Sequence, residues 1–198
     1  IQGDVAILEM DEGHAAEITR RVSPRQSTIL NVLEDQLDRF VDPAVVRQKL
    51  ALVAQRTTGS VLLNADDQNT VMIGADLPTG TNVAWFGISE GLIASSKHGL
   101  GAAPTYLAEL ARPETEAEIE SISGLNAVAS VGEVKSRFNL PNRGLHYALD
   151  SVAAILSAKR YLGEEFDLTL ASSVLDHLPP VFARGEIAKV GDEEVEFI

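Results

Sequence analysis

The chain has 198 residues, 45% of them hydrophobic and 23% charged, which suits one α/β domain or one domain with an appendage. Sixteen Lys and Arg stand against 29 Asp and Glu, and the net charge of −13 argues against binding nucleic-acid phosphates or anionic lipid. No Cys is present, which excludes disulfides, thiolate catalysis and cysteine-ligated zinc, and no apolar run approaches the roughly 20 residues of a bilayer span. A cytoplasmic protein with no transmembrane segment is the expectation.

The chain opens on Ile1 and closes on Val195-Glu196-Phe197-Ile198, strand-like at both limits, so it is expected to be a segment of a longer protein. Val5-Ala6-Ile7-Leu8 is a continuous apolar run of the kind buried in a parallel sheet, and a short helix is expected over 13–21, broken by Ser23-Pro24. Thr28-Ile29-Leu30-Asn31-Val32 is a second strand. Asp42-Pro43 is a helix start, with Asp as N-cap and Pro in the first turn, and apolar spacing carries that helix to about residue 56. Ser60-Val61-Leu62-Leu63 and 83–88 read as further strands. The spacing predicts crossovers and a mainly parallel sheet with flanking helices.

Residues 89–137 carry weaker signals: a helix near 104–111 and, from Gly124 to Phe138, a small antiparallel β part. Helices are expected over 146–160 and 167–177, the second stopped by Pro179-Pro180. The tail from Gly185 reads as a hairpin turning at Gly191-Asp192.

Ligands of open parallel sheets bind beyond the carboxyl ends of the strands. Three successive strands here end in acids or amides: Glu9 and Asp11, Asn31 with Asp35, and Asn64 with Asp66 and Asp67. Such hard oxygen ligands suit Mg²⁺ held with nucleotide phosphates, although Asp and Asn also cap helices and turns after any strand. His14, His98, His146 and His177 have no metal-ligand spacing and read as cap or surface residues. No glycine-rich phosphate loop is present in the 198 residues.

The run Leu30-Asn31-Val32-Leu33-Glu34-Asp35-Gln36-Leu37-Asp38-Arg39-Phe40 resembles the N-(V/L)-x-R-D-Q-L-D-R-Y signature of MurT-type Mur ligases. Asn64-Ala65-Asp66-Asp67 is similar to the family's N-A-D-D motif, Glu9-Met10-Asp11-Glu12 to its E-x-D-E strand end, and Arg184-Gly185-Glu186 to its G-R-G-E run. The D-Q-L-D-R run is the specific one. The resemblance implies a Mur ligase central domain over 1–180, lacking its N-terminal phosphate-loop unit. It also implies a variable insert over 97–136, where relatives carry a zinc ribbon, and the start of the C-terminal ligase domain over 181–198.

The same resemblance implies chemistry. Such enzymes phosphorylate a carboxylate with ATP and Mg²⁺ and let an amine attack the acyl phosphate. In the MurT type the acceptor is the D-glutamyl α-carboxyl of the lipid II stem peptide, and a GatD-type glutamine amidotransferase subunit supplies ammonia. Glu9 then matches the Mg²⁺ position, Gln36 the place of a metal-binding His in other Mur ligases, and Lys49 a helical Lys that contacts phosphate or supports the Mg²⁺ site. Asn31 and Asn64 match residues of the loops that frame the nucleotide, and Arg184 a nucleotide contact. Tyr147 and Asp150 stand where the family's helix start has two Asn, Tyr147 offering a stacking surface for adenine.

The sequence departs from the pattern at Glu34, which replaces Arg, at Ala183, which replaces Gly, and in having no Cys for zinc. The leading expectation is part of an amide ligase, inactive as this segment alone. The alternatives are a degenerate nucleotide-binding or scaffolding relative and a sibling ligase of the folyl-polyglutamate or cyanophycin type, which the D-Q-L-D-R run disfavours.

Overall fold

Alternating burial along two neighbouring segments decides the architecture. In Ser60–Asn64 and Asn82–Ile88, Val61, Leu63, Val83 and Trp85 face one way, whereas Leu62, Ala84, Phe86 and Ile88 face the other. Strands apolar on both faces need a helical layer on each side. The computed structural model, which describes residues 4–32, 42–95, 110–179, 186–190 and 193–197, supplies both layers.

The elements in chain order are α1 (Glu12–Ile18), β1 (Gln26–Ile29), α2 (Pro43–Gln55), β2 (Ser60–Asn64), α3 (Gln68–Ala75), β3 (Asn82–Ile88) and α4 (Glu90–Ser95). After them come β4 (Ala117–Ser123), β5 (Asn126–Val131), β6 (Val134–Asn139), α5 (Leu145–Leu162), α6 (Leu168–Asp176), β7 (Glu186–Val190) and β8 (Glu193–Phe197). One six-stranded sheet runs β1-β2-β3-β4-β5-β6, and β7-β8 form a separate hairpin. β1 to β4 pair in parallel, with Leu63 beside Ile29 and Trp85, while β4, β5 and β6 form an antiparallel meander. The expected α/β class, mainly parallel with an antiparallel part, therefore holds, and the antiparallel strands extend the main sheet.

α2 and α3 cover one face, burying Ala54 and Ile73 against Ile29, Val61 and Leu63. α5 covers the other with Ala148, Leu149, Val152, Ile155 and Leu156, over Phe86, Ile119, Ala129 and Phe138. Each fully buried large side chain contributes about 1.5–3 kcal/mol by leaving water. The ends of these helices follow from local chemistry. Asp42 and Asp67 accept the Ala44 and Asn69 N–H groups at 2.8 Å as N-caps of α2 and α3, and Asp167 caps α6 through Thr169 and Leu170. Ser157, near the end of α5, bonds Gln26 and Thr28 at the start of β1, and Arg160 reaches Asn82 at the start of β3. α5 thus runs against the parallel strands and brings its first turn toward their carboxyl edge.

Several expectations need correction. Val5-Ala6-Ile7-Leu8 is not a strand: it is extended and exposed, with Ile7 at 92%, because no strand among the described residues lies beside it to complete a ladder. β1 begins at Gln26 and ends at Ile29 rather than running to Val32, since side chains instead of β2 take the backbone groups of Leu30 and Val32. α3 and α4 carry no periodicity long enough to announce them. The helix expected near 104–111 and the turn at Gly191-Asp192 lie outside the described residues.

Candidate functional site at the carboxyl edge of the sheet

The tightest polar cluster is the end of β2. Asn64 is fully buried; its Nδ2 donates to the Leu30 carbonyl at 2.9 Å and its Oδ1 accepts the Asp66 N–H at 2.8 Å. Asp67 accepts the Val32 N–H at 2.5 Å on Oδ2 and the Asn69 N–H at 2.8 Å on Oδ1. Thr70 donates its hydroxyl to the Asn64 and Asp67 carbonyls. Four consecutive residues therefore join the end of β1, the end of β2 and the start of α3. Burial pushes the Asp67 carboxyl above its usual range, and the Val32, Asn69 and Thr70 N–H groups only partly oppose it.

Asp66, 1% exposed, looks toward β3. Its Oδ2 accepts the Ile88 N–H at 2.6 Å and its Oδ1 accepts from Arg112 Nε at 2.7 Å. Arg112 also donates to the Ile88 carbonyl at 2.9 Å and stands 3.9 Å from Glu118. Gly87 makes room for this pair: a Cβ there would lie 2.5 Å from Asp66 Oδ2 and 2.8 Å from Arg112 Nη2. Sequence reasoning missed Arg112. Its partner is 46 residues away, and nothing in its neighbourhood announces a buried cation.

The other sequence-predicted residues lie in several elements. Asn31 is half-buried, directly between the two anchored residues Leu30 and Val32. Lys49 is half-buried on α2, between the buried Val46 and Val53. Glu9 is exposed in the extended segment ahead of α1. Its neighbour Asp11 is the N-cap of α1, bonding the His14 N–H at 2.8 Å and its ring at 2.7 Å. Tyr147 is only 7% exposed, its ring centroid 4.2 Å from that of His146, and Asp150 is exposed on α5. Gln36 and Arg184 lie outside the described residues, as does His98. Asn64 thus bonds the peptide carbonyl just ahead of Asn31, and among the bonds of the described residues neither Asn meets Glu9.

Mg²⁺ held with phosphates takes carboxylate oxygens that it can reach from solvent. Asp66 and Asp67 are each only 1% exposed, and all four of their carboxylate oxygens accept hydrogen bonds from the fold at 2.5–2.8 Å, so neither is open to such an ion. No group of three or more His, Asp or Glu among the described residues is arranged to hold a metal ion. Glu9, by contrast, is exposed, and its carboxylate is open to solvent.

No family model matches the chain. Among solved structures it superposes on a pseudomurein peptide ligase type C from Methanothermus fervidus with a TM-score of 0.70, at 18% identity, covering 87% of this chain and 38% of that one. It superposes on MurF from Acinetobacter baumannii with a TM-score of 0.69, at 14% identity, covering 92% of this chain and 35% of that one. The fold is that of the Mur ligases. Within that class the sequence likeness is to the MurT type: the chain is 26% identical over 220 aligned positions to the lipid II isoglutaminyl synthase subunit MurT of Streptococcus pneumoniae. That match takes in 98% of this chain and 48% of the relative, so the chain spans about half the length of the curated protein it resembles. The chain is thus similar to a MurT subunit along nearly its whole length.

Proposed function

We propose that the chain is the central part of an ATP-dependent amide ligase of peptidoglycan synthesis, and that its parent protein amidates the D-glutamyl α-carboxyl of the lipid II stem peptide. The observation that carries this reading is the likeness to a MurT subunit along 98% of the chain. In this reading residues 1–180 are the central domain and 181–198 begin the C-terminal ligase domain. The segment alone is inactive, and the parent works in the cytoplasm with a GatD-type glutaminase.

The chemistry needs ATP because a free carboxylate is a poor electrophile, and an acyl phosphate is a good one. Bound Mg²⁺ would neutralise charge on the transferring phosphoryl group. Glu9 would give that ion one carboxylate, Lys49 would meet phosphate, and Gln36 would position the metal shell. Asn31 and Asn64 would hold the loops that frame the nucleotide, with Arg184 at its ribose or phosphate, Tyr147 at adenine and Asp150 one turn further along the same helix.

The direct test is the parent protein with its glutaminase partner, given lipid II, glutamine and Mg-ATP. Amidated lipid II with one ADP released per amide formed is expected. An intact complex that releases no ADP and leaves the α-carboxyl free would sink the reading.

A non-catalytic scaffolding relative is the second reading. The burial of Tyr147 and the full engagement of Asp66 and Asp67 favour it. Retained glutaminase binding with no detectable Mg-ATP binding would select it.

A further inference from the structure

The backbone pairing of β1 with β2 stops at Ile29 and Leu63. Beyond that point two buried side chains take over. Asn64 Nδ2 donates to the carbonyl of Leu30, and Asp67 Oδ2 accepts the N–H of Val32. The residue between those two peptide groups is Asn31. Its backbone is therefore gripped on both sides, by side chains that are themselves fixed: Asn64 by the Asp66 N–H, Asp67 by the Asn69 N–H.

The carboxylate at position 67 is more than a helix cap requires. One oxygen suffices to cap α3, and a Ser would supply it as well as Asp does. A Ser would also avoid burying a charge, which costs free energy unless every oxygen finds a donor. What a Ser lacks is the second acceptor. Here that second acceptor, Oδ2, is spent on Val32, 35 residues away. The arrangement makes sense if the placement of residue 31 matters beyond the stability of α3.

We propose that Asn64 and Asp67 are positioning residues that act through Asn31, holding its side-chain amide in place for a nucleotide at the carboxyl edge of the sheet. This rests on the nucleotide-binding reading given above. Preorganisation is the physical gain: an amide held in one orientation loses less freedom when its ligand arrives.

The experiment uses the full-length protein and Mg-ATP titration calorimetry on four forms: wild type, Asp67→Ser, Asn31→Ala and the double variant. Asp67→Ser keeps a capping oxygen for α3 and removes the Val32 acceptor. Asn31→Ala is expected to raise Kd about 10-fold, the loss of roughly one hydrogen bond, and Asp67→Ser to raise it similarly. In the Asn31→Ala background, Asp67→Ser should change Kd by less than about twofold, because both substitutions remove the same contact. A Kd unchanged by Asp67→Ser alone, or independent effects that multiply to about 100-fold, would overturn the proposal.

Hydrogen exchange of the Val32 amide provides a readout that needs no nucleotide. It should be slow in the wild type and at least about 10-fold faster in Asp67→Ser. Unchanged exchange overturns the clamp whatever the nucleotide data say. Wild-type protein that binds no Mg-ATP, with Val32 protection still dependent on Asp67, overturns instead the functional reading and the role given to Asn31.

Discussion

Arg112 and Asp66 hold the same residue from two sides. The Asp66 carboxylate accepts the Ile88 N–H at 2.6 Å while the Arg112 guanidinium donates to the Ile88 carbonyl at 2.9 Å, and the two side chains meet at 2.7 Å. The pair closes a ring around the last residue of β3. It also ties Arg112, five residues ahead of β4, to the end of β3.

Removing one partner strands the other. Arg112 is 16% exposed, and without it Asp66 is a buried carboxylate that accepts, among the described residues, the Ile88 N–H alone. Arg112→Met is expected to destabilise the protein by about 3–5 kcal/mol, and Arg112→Lys by less, because Lys keeps the charge and loses the forked geometry. Urea denaturation of both variants tests this. A loss under about 1 kcal/mol for Arg112→Met would show that the pair is not a buried one.

Gly87 and Gly91 should respond to alanine with opposite signs. A Cβ at Gly87 would overlap Asp66 and Arg112, so Gly87→Ala must displace the ion pair, at an expected cost of about 2–4 kcal/mol. A Cβ at Gly91, inside α4, meets nothing within 4 Å, so Gly91→Ala should stabilise by about 0.5–1 kcal/mol. Thermal melts side by side decide it, and equal effects would mean that the space around Gly87 is not as described.

Glu116 gives a pH dependence with a defined sign. Burial alone would raise its pKa, but the Lys159 ammonium at 2.9 Å and the Arg160 guanidinium outweigh burial and hold it below its ordinary value. The unfolded chain therefore takes up a proton more readily than the native one as pH falls below about 4.5. The stabilisation is complete above that pH and disappears as pH drops through the lower native value. Glu116→Gln should be less stable than wild type at pH 7, and the two should converge in acid. A gap that stays constant with pH would contradict this assignment. Asp67 carries the opposite sign: its raised native pKa favours the protonated native state, and its contribution weakens as pH rises.

Glu9 carries the metal prediction. In the full-length protein, Glu9→Ala should weaken Mg-dependent ATP binding about 10-fold or more while leaving the melting temperature within about 1 °C, because the residue is exposed and lies in no helix or strand. Unchanged nucleotide affinity would remove Glu9 from the site.

Much of the fold was legible in the residues themselves. Asp42-Pro43 set the start of α2, the apolar runs at 60–63 and 83–88 marked strands, and the apolar stripe through Val152 and Leu156 marked α5. Caps and periodicities are short-range properties, fixed by neighbours three or four positions away, so one sequence suffices to read them. The tertiary structure alone decided what the acidic cluster does. Asp66 and Asp67 look from the sequence like ligands for an ion, yet their carboxylates accept from Val32, Ile88 and Arg112, 22 to 46 residues distant. The same holds for Val5, Ile7 and Leu8: their pattern is that of a strand, but a strand exists only where another lies beside it to share its hydrogen bonds. Long-range pairing of buried polar groups leaves no periodic trace along the chain, and that is why the sequence indicated the sheet edge while only the fold revealed how its carboxylates are used.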